Sequence, residues 1–422
     1  MNADLIIYNA GQLVTCASPD GPKRGAAMLD VGMIEDGAIA IADGKFVDVG
    51  TTDEIRRAFT ADETIDAEGR VVCPGFVDPH THIVYAGDRL NEFELKIKGA
   101  AYLDFLAAGG GIISTVQHTR EASIDQLVDL ASERLDKMLA CGTTTCEIKT
   151  GYGLDTATEL KMLDVIERLD RRHAMRIVPT FLAAHAVPPE FKENAGGYVD
   201  LICREMLPKA WSWFSRSSFH GKVPFFCDVF CEQGAFTLEQ SRKVLETAKS
   251  LGFALKAHVE QFNDLGGSRM AIGLGAASVD HLDAISEDAI DLLAKSGSVG
   301  VVIPTENFNA GKTNLAPARK LIDRGCAVAI STDFNPGSAP CPSQPMAMAI
   351  AARYQKLLPA ECLSAATINA AHAIGLGKQV GSIEVGKAAD LLILNTRDYR
   401  QIIYEFGGNL VGRVFCNGRS AV

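Results

Sequence analysis

Within PGFVDPHTHIVYAGDRLNEFE, residues 74–94, His80 and His82 stand two apart, directly after an apolar run and a Pro-Gly break. Residues i and i+2 of a strand face the same way, so two imidazoles at a strand's end can converge on one ion. Their borderline nitrogen suits zinc or iron. A His-x-His pair is short and common, and it can equally be a polar strand end. Further ligands at the ends of later strands would separate the two readings. His185 in FLAAHAVPPE, His258 in LKAHVEQF, His281 in VDHLD and Asp333 in STDFNPGS each follow an apolar run. Five of the nine histidines therefore fall at strand ends; His118, His173, His220 and His372 fall in helical or loop segments and are given no role.

His80, His82, His258 and Asp333 make a set of three imidazoles and one carboxylate, suited to a catalytic metal that keeps a place for water. Such an ion lowers the pKa of a water toward neutrality. Asp333 can then be both a weak ligand and the group that takes the water's proton. His281 lies between His258 and Asp333 in strand order, where it can orient the water or polarise a carbonyl; a satisfied core histidine is the plainer alternative.

These residues must be positioned by strands. The middle of the chain reads as short apolar strands at FVDPHTH, TTTCEIKTGYG, RIVPTFLAAHAV, FFCDVFCEQGAF, FALKAHVEQF, ASVDHL, SVGVVIPTE and CAVAISTDFNPG. Amphipathic runs such as SIDQLVDLASERLDKMLACG lie between them; TLEQSRKVLETAKSLG opens with Thr237 and has Gln240 in its first turn, the pattern of a capped helix start. About eight strand-then-helix units predict an α/β fold, a (β/α)₈ TIM-like barrel, with functional side chains at the C-terminal strand ends. Both chain ends instead alternate apolar and polar residues between Gly and Asp turns. They predict a small composite β-sandwich: residues 1–72 and 375–422 flanking a metal-dependent barrel over 73–374. Residues 194–222, which hold Trp211 and Trp213, form an insertion, read as packing or a subunit contact ahead of a substrate lid. AAGGGI, residues 107–112, matches no phosphate-binding fingerprint and reads as a loop near the barrel mouth.

Composition narrows the class. The chain has 422 residues, 47% hydrophobic and 22% charged, an ordinary globular balance. A net charge of -11 argues against nonspecific nucleic-acid binding. No apolar run reaches the ~20 residues that span a bilayer, and the N-terminus lacks the basic start of a signal peptide. The 11 cysteines are scattered without a C-x-x-C pair, which fits a reduced cytoplasmic protein.

Together, FVDPHTHIVYAGDRLNEFE, AAGGGI, CEIKTGYGLD, AAHAVPPE, DVFCEQGAF and STDFNPGSAP resemble the amidohydrolase superfamily, most narrowly the imidazolonepropionases, over nearly the whole chain. The resemblance implies hydrolysis of the ring amide of 4-imidazolone-5-propanoate to N-formimidoyl-L-glutamate in histidine degradation. It also implies one divalent metal per subunit, zinc or iron, and a cytoplasmic homodimer. It places Tyr152, His185, Asn335, Gly337 and Ser338 on the substrate. Arg89, just past the first-strand ligands, can fork onto the propanoate carboxylate, or it can be an ion-pair partner for Glu92 or Glu94. The fourth strand ends in FCEQG without the lysine that binuclear members carboxylate, so one metal is expected rather than two. Lys149 lies on the second strand, with its role open. Where some imidazolonepropionases carry Glu, this chain has Gln261, with Glu260 beside it. Strict alternation points Glu260 to the mouth with His258, and a bend would reverse that. Gln261 is kept as a substrate contact and Glu260 as a candidate for proton handling. The alternative function is a cytosine- or guanine-type deaminase of the same superfamily. A scaffold protein of the same fold is disfavoured, because the whole ligand set is present.

Overall fold

The computed structural model describes residues 1–98 and 110–422. The first strands are β1 (Asn2–Val14), β2 (Met33–Ala42), β3 (Lys45–Thr51), β4 (Thr60–Asp66) and β5 (Val71–Pro74). The barrel strands are β6 (Phe76–Asp78), β7 (Thr143–Lys149), β8 (Arg176–Ala184), β9 (Phe226–Cys231), β10 (Ala254–Val259), β11 (Ser278–His281), β12 (Val299–Val302) and β13 (Val328–Ile330). The chain closes with β14 (Leu391–Leu394), β15 (Val411–Cys416) and β16 (Arg419–Ser420).

Both termini build one sheet, in the order β16-β15-β14-β5-β1-β2-β3, with β4 also paired to β1. The join is β5 against β14, antiparallel, with Cys73 opposite Leu392. Alternation explains the pairing. Leu5, Ile7 and Leu13 of β1, Ile39 and Ile41 of β2, and Leu391, Ile393 and Phe415 from the C-terminal end share one buried cluster. Neither end could cover that face alone.

β6 to β13 follow one another in a single parallel sheet, each paired to the next. Its two edges meet through side chains. Gln344 donates to Val77 O at 3.1 Å and Ile330 O at 3.2 Å, and Ser331 donates to Asp78 at 2.6 Å. The eight predicted barrel strands are thus observed in order, with short strands buried on both faces, as covered parallel sheets require. Thr237 caps the helix Leu238–Leu251 reciprocally with Gln240, a device contributing roughly 0.5–2 kcal/mol.

The 194–222 insertion is helical at Ala195–Leu201 and Leu207–Phe214. Trp211 packs 5.1 Å from the Phe253 ring, and Trp213 Nε1 donates to Asp164 at 2.8 Å. Both tryptophans therefore serve to fix the insertion to the outer helices. Residues 107–109 of the Gly-rich loop lie outside the described residues. Among the described helices none is long and apolar enough to cross a membrane, and all eleven cysteines are free thiols.

Candidate active site

Three imidazole Nε2 atoms meet where β6 and β10 end. His80 Nε2 lies 3.2 Å from His82 Nε2, and His258 Nε2 lies 3.4 Å from the same atom. Asp333 Oδ1 comes within 3.4 Å of His82 Nε2 and 3.6 Å of His80 Nε2. The far side of two of these rings faces a carboxylate: His80 Nδ1 is hydrogen-bonded to Asp280 Oδ2 at 2.7 Å, and His258 Nδ1 approaches Asp228 Oδ2 at 2.9 Å without hydrogen-bond geometry. Carboxylates there select the Nδ1–H tautomer, which leaves bare Nε2 lone pairs facing one another. Burial, with nearby positive groups, pushes His80 and His82 far below the usual imidazole pKa and His258 down to about 3, so protons do not relieve the crowding. Burial, with the Glu306 charge, pushes Asp333 well above the usual carboxylate range. A divalent cation among these atoms satisfies every one of them, and the donor set fits such an ion.

Beneath the imidazoles lies a layer of buried charge. Lys149 Nζ donates to Glu147 at 2.8 Å and Asp228 at 2.7 Å. Lys256 Nζ donates to Ser278 Oγ at 2.8 Å and Pro79 O at 3.0 Å, and stands 3.4 Å from Asp280. Both lysines and all three carboxylates have 0% side-chain exposure. Each carboxylate that faces a ligand imidazole is thus held in turn by an ammonium group, which answers what Lys149 is for. Sequence reading missed Asp228, Asp280, Glu147 and Lys256. Their signal was present: a charge inside an apolar strand of a closed barrel must find a buried partner.

His281 ends β11 in the left-handed region, φ 83°, and its ring lies 5.2–5.3 Å from those of His258 and His80. Asp333 is also left-handed, at φ 49°. Strained backbone at two strand ends of one site is a common mark of function. Burial lowers His281 to about 4, so it is neutral, a proton acceptor.

The rim carries the remaining expected residues. His185 stacks on His82 at 4.9 Å, and its Nδ1 lies 3.0 Å from Gly151 O. Tyr152, 4% exposed, sits 5.5 Å from the His185 ring, and burial raises its phenol, keeping it neutral. Arg89 does pair with Glu92: Nε donates to Oε2 at 2.8 Å, and Nη2 donates to the same oxygen. The pairing leaves the Nη1 side of the guanidinium against Gly337, where any Cβ would fall 2.0 Å from Nη1. Nε and Nη2 are thus given to Glu92, and Nη1 lies against Gly337. Glu92 also accepts from Gly111 N at 2.7 Å, tying Arg89 to the end of the Gly-rich loop.

Two expectations change in detail. Asn335 spends its amide on its own loop, donating to Asp333 O and Ser338 Oγ and accepting from the Gly337 and Ser338 N–H groups. Glu260 leaves the strand alternation: at φ 50° the backbone bends, and its carboxylate accepts from Ser268 N at 3.0 Å, at the start of the helix Gly267–Leu274. Burial raises it to about 7, but its hydrogen bond is to that helix and not to a group beside His258. Gln261 follows the bend, half-buried.

Comparison with known proteins gives a family from the relatives and a fold from the solved structures. Models of the amidohydrolase family match residues 63–103 and 230–421, and a model of the imidazolonepropionase-like composite domain of bacteria matches 37–61. An imidazolonepropionase of Chloroflexus aggregans is 53% identical over 99% of this chain and 98% of its own length. One of Herpetosiphon aurantiacus is 51% identical over 99% and 97%. In structure, a zinc-bound adenosine deaminase of Xanthomonas campestris superposes with a TM-score of 0.72 over 99% of this chain and 93% of its own, at 21% identity, a likeness of fold.

Proposed function

The chain belongs to the imidazolonepropionase family of amidohydrolases, and from that premise we infer that it hydrolyses the ring amide of 4-imidazolone-5-propanoate to N-formimidoyl-L-glutamate. The observation that carries this reading is the pairing of two features: three bare Nε2 atoms with Asp333 at the floor, and at the rim an arginine, Arg89, braced by Glu92 and lying against Gly337. The first suits hydrolysis and the second suits a carboxylate-bearing substrate.

His80, His82, His258 and Asp333 would hold one divalent ion, with zinc and iron both suited to the ligands. When bound, the ion supplies Lewis acidity that brings a water near neutral pKa. Arg89 receives the propanoate carboxylate on the surface it forms with Gly337. Ser338 and Asn335 shape that surface, and Tyr152, His185 and Gln261 border the ring. Asp333 takes the proton of the attacking water. That proton must reach the ring nitrogen as the carbon–nitrogen bond breaks, and Asp333 and His281 are the groups placed to carry it. His185, with Nδ1 on Gly151 O, presents a neutral Nε2 to the same space.

The test is direct: purified enzyme should abolish the ultraviolet absorbance of imidazolonepropionate while one metal per chain is measured. The second reading, a cytosine- or guanine-type deaminase, would use the same floor but give Arg89 no anion to bind. Ammonia release from either base, with no loss of imidazolonepropionate, would establish it instead.

A further inference from the structure

Beside the floor, at His281, lies a second group of donors. His281 Nδ1, an Asp283 carboxylate oxygen and a Glu306 carboxylate oxygen lie within 4.8 Å of one another. His281 is 2% exposed and Glu306 3%; Asp283 is half-buried, with its Oδ2 enclosed. His281 Nδ1, Asp283 Oδ2 and Glu306 Oε2 are each buried without a hydrogen-bond partner among the described residues. The other oxygens of both carboxylates are used. Asp283 Oδ1 accepts from Asn307 Nδ2 and Ala316 N, both at 2.8 Å, and Glu306 Oε1 accepts from Lys312 Nζ at 3.0 Å.

We propose that His281 Nδ1, Asp283 Oδ2 and Glu306 Oε2 form a second, exchangeable divalent-cation site, and that an ion there inhibits the enzyme by tying up His281. Unpaired buried polar atoms are costly; a water donating to both carboxylates would satisfy these three, as would a cation, and two carboxylates beside one imidazole favour the positive charge. A proton shared by the two carboxylates leaves the imidazole unpaired. An imidazole N–H cannot reach Glu306 Oε2 across 3.9 Å with a normal hydrogen bond. A cation satisfies all three atoms at once, and one nitrogen with two oxygens plus water is a ligand set that zinc accepts. Lys312 marks the way in. Its side chain is 33% exposed, and it already places a positive charge on Glu306, 4.4 Å from the Phe262 ring. A dissolved ion entering from that side competes with this ammonium, so the site should bind more weakly than the floor and exchange with solvent.

The site itself does not depend on which reaction the enzyme performs, because bound metal is read independently of turnover. Holoenzyme dialysed against metal-free buffer, and so carrying only its resident ion, is titrated with ZnCl₂. Bound zinc is measured by equilibrium dialysis, and rate is followed in parallel. A second equivalent should bind, with inhibition in step. Asp283→Asn and Glu306→Gln should each weaken that second equivalent at least about tenfold, the scale of a lost metal-site partner, while the resident ion stays. Lys312→Met removes the competing charge and should tighten the second equivalent; this variant alters no ligand, so it tests the site even where a ligand variant folds poorly. Wild-type enzyme that saturates at one equivalent overturns the proposal. So does a second equivalent indifferent to Asp283→Asn and Glu306→Gln, or one loosened by Lys312→Met.

Discussion

At the floor of the barrel mouth, His80 and His258 lean on Asp280 and Asp228, and those carboxylates lean on Lys256 and Lys149, all with 0% side-chain exposure except His258 at 3%. At the rim, Arg89 leans on one residue, Glu92, three positions along the chain. The floor is non-local: its charges come from β6, β7, β9, β10 and β11, and each is buried against its counter-charge. The rim is local and slightly more open, with the Arg89 and Glu92 side chains 16% and 10% exposed, so a change there strands less charge than one at the floor. Damage at the floor should therefore cost metal and stability, and damage at the rim should cost only substrate selection.

The largest effect expected is on the floor ligands. His80→Ala or His258→Ala should empty the resident site and lower activity by more than the 10–100-fold typical of second-shell changes, with metal analysis read beside rate. Full metal retention in both variants would break the distinction at its base. Lys149→Met comes next. It leaves Glu147 and Asp228 buried without their ammonium, a loss of about 3–5 kcal/mol that denaturant unfolding should show. A stability unchanged within error would mean that the buried layer relaxes freely. His281→Ala, at the boundary of floor and rim, should keep the resident ion and lose about 10²-fold in kcat; loss of the ion would make it a floor residue.

The same division governs what could be read from the sequence. Barrel strands, and the convergence of His80, His82, His258 and Asp333, were legible because each of the four follows an apolar run, and strand order then brings the ends together. Asp228, Asp280 and Lys256 were not, because their partners are set by which strands stand side by side. Glu260 escaped the alternation rule because its left-handed φ is carried by a residue that does not announce a bend, as glycine would. For Arg89, sequence spacing offered an ion pair with Glu92 or Glu94 and the substrate contact as alternatives; the ion pair with Glu92 is present, because three residues along a helix start bring the two side chains together.

At the rim, Arg89→Met should lower kcat/KM for imidazolonepropionate about 10- to 100-fold, the loss of a charged hydrogen-bonded contact. Metal content should stay constant, and an analogue lacking the carboxylate should be barely affected. Equal losses for both compounds would mean that Arg89 holds the loop rather than the substrate.

The smallest effect, and the finest test of the comparison, is Glu92→Gln. Glu92 accepts from Arg89 with one oxygen and from Gly111 N with the other. Glutamine keeps one acceptor and turns the other into a donor. Whichever way the amide is set, one of the two contacts becomes donor against donor, so the brace fails at one end. The substitution also removes a negative charge beside the guanidinium, which strengthens its pull on an incoming carboxylate. The two effects oppose, so KM for imidazolonepropionate should rise less than about tenfold, below the lower bound for a lost charged contact at Arg89. Neither kcat nor the resident metal should move. A fall in KM would show that Glu92 chiefly competes with substrate for Arg89 and is no brace. A loss as large as that of Arg89→Met would show that the rim, like the floor, works as one coupled unit, and the contrast between the two regions would fail.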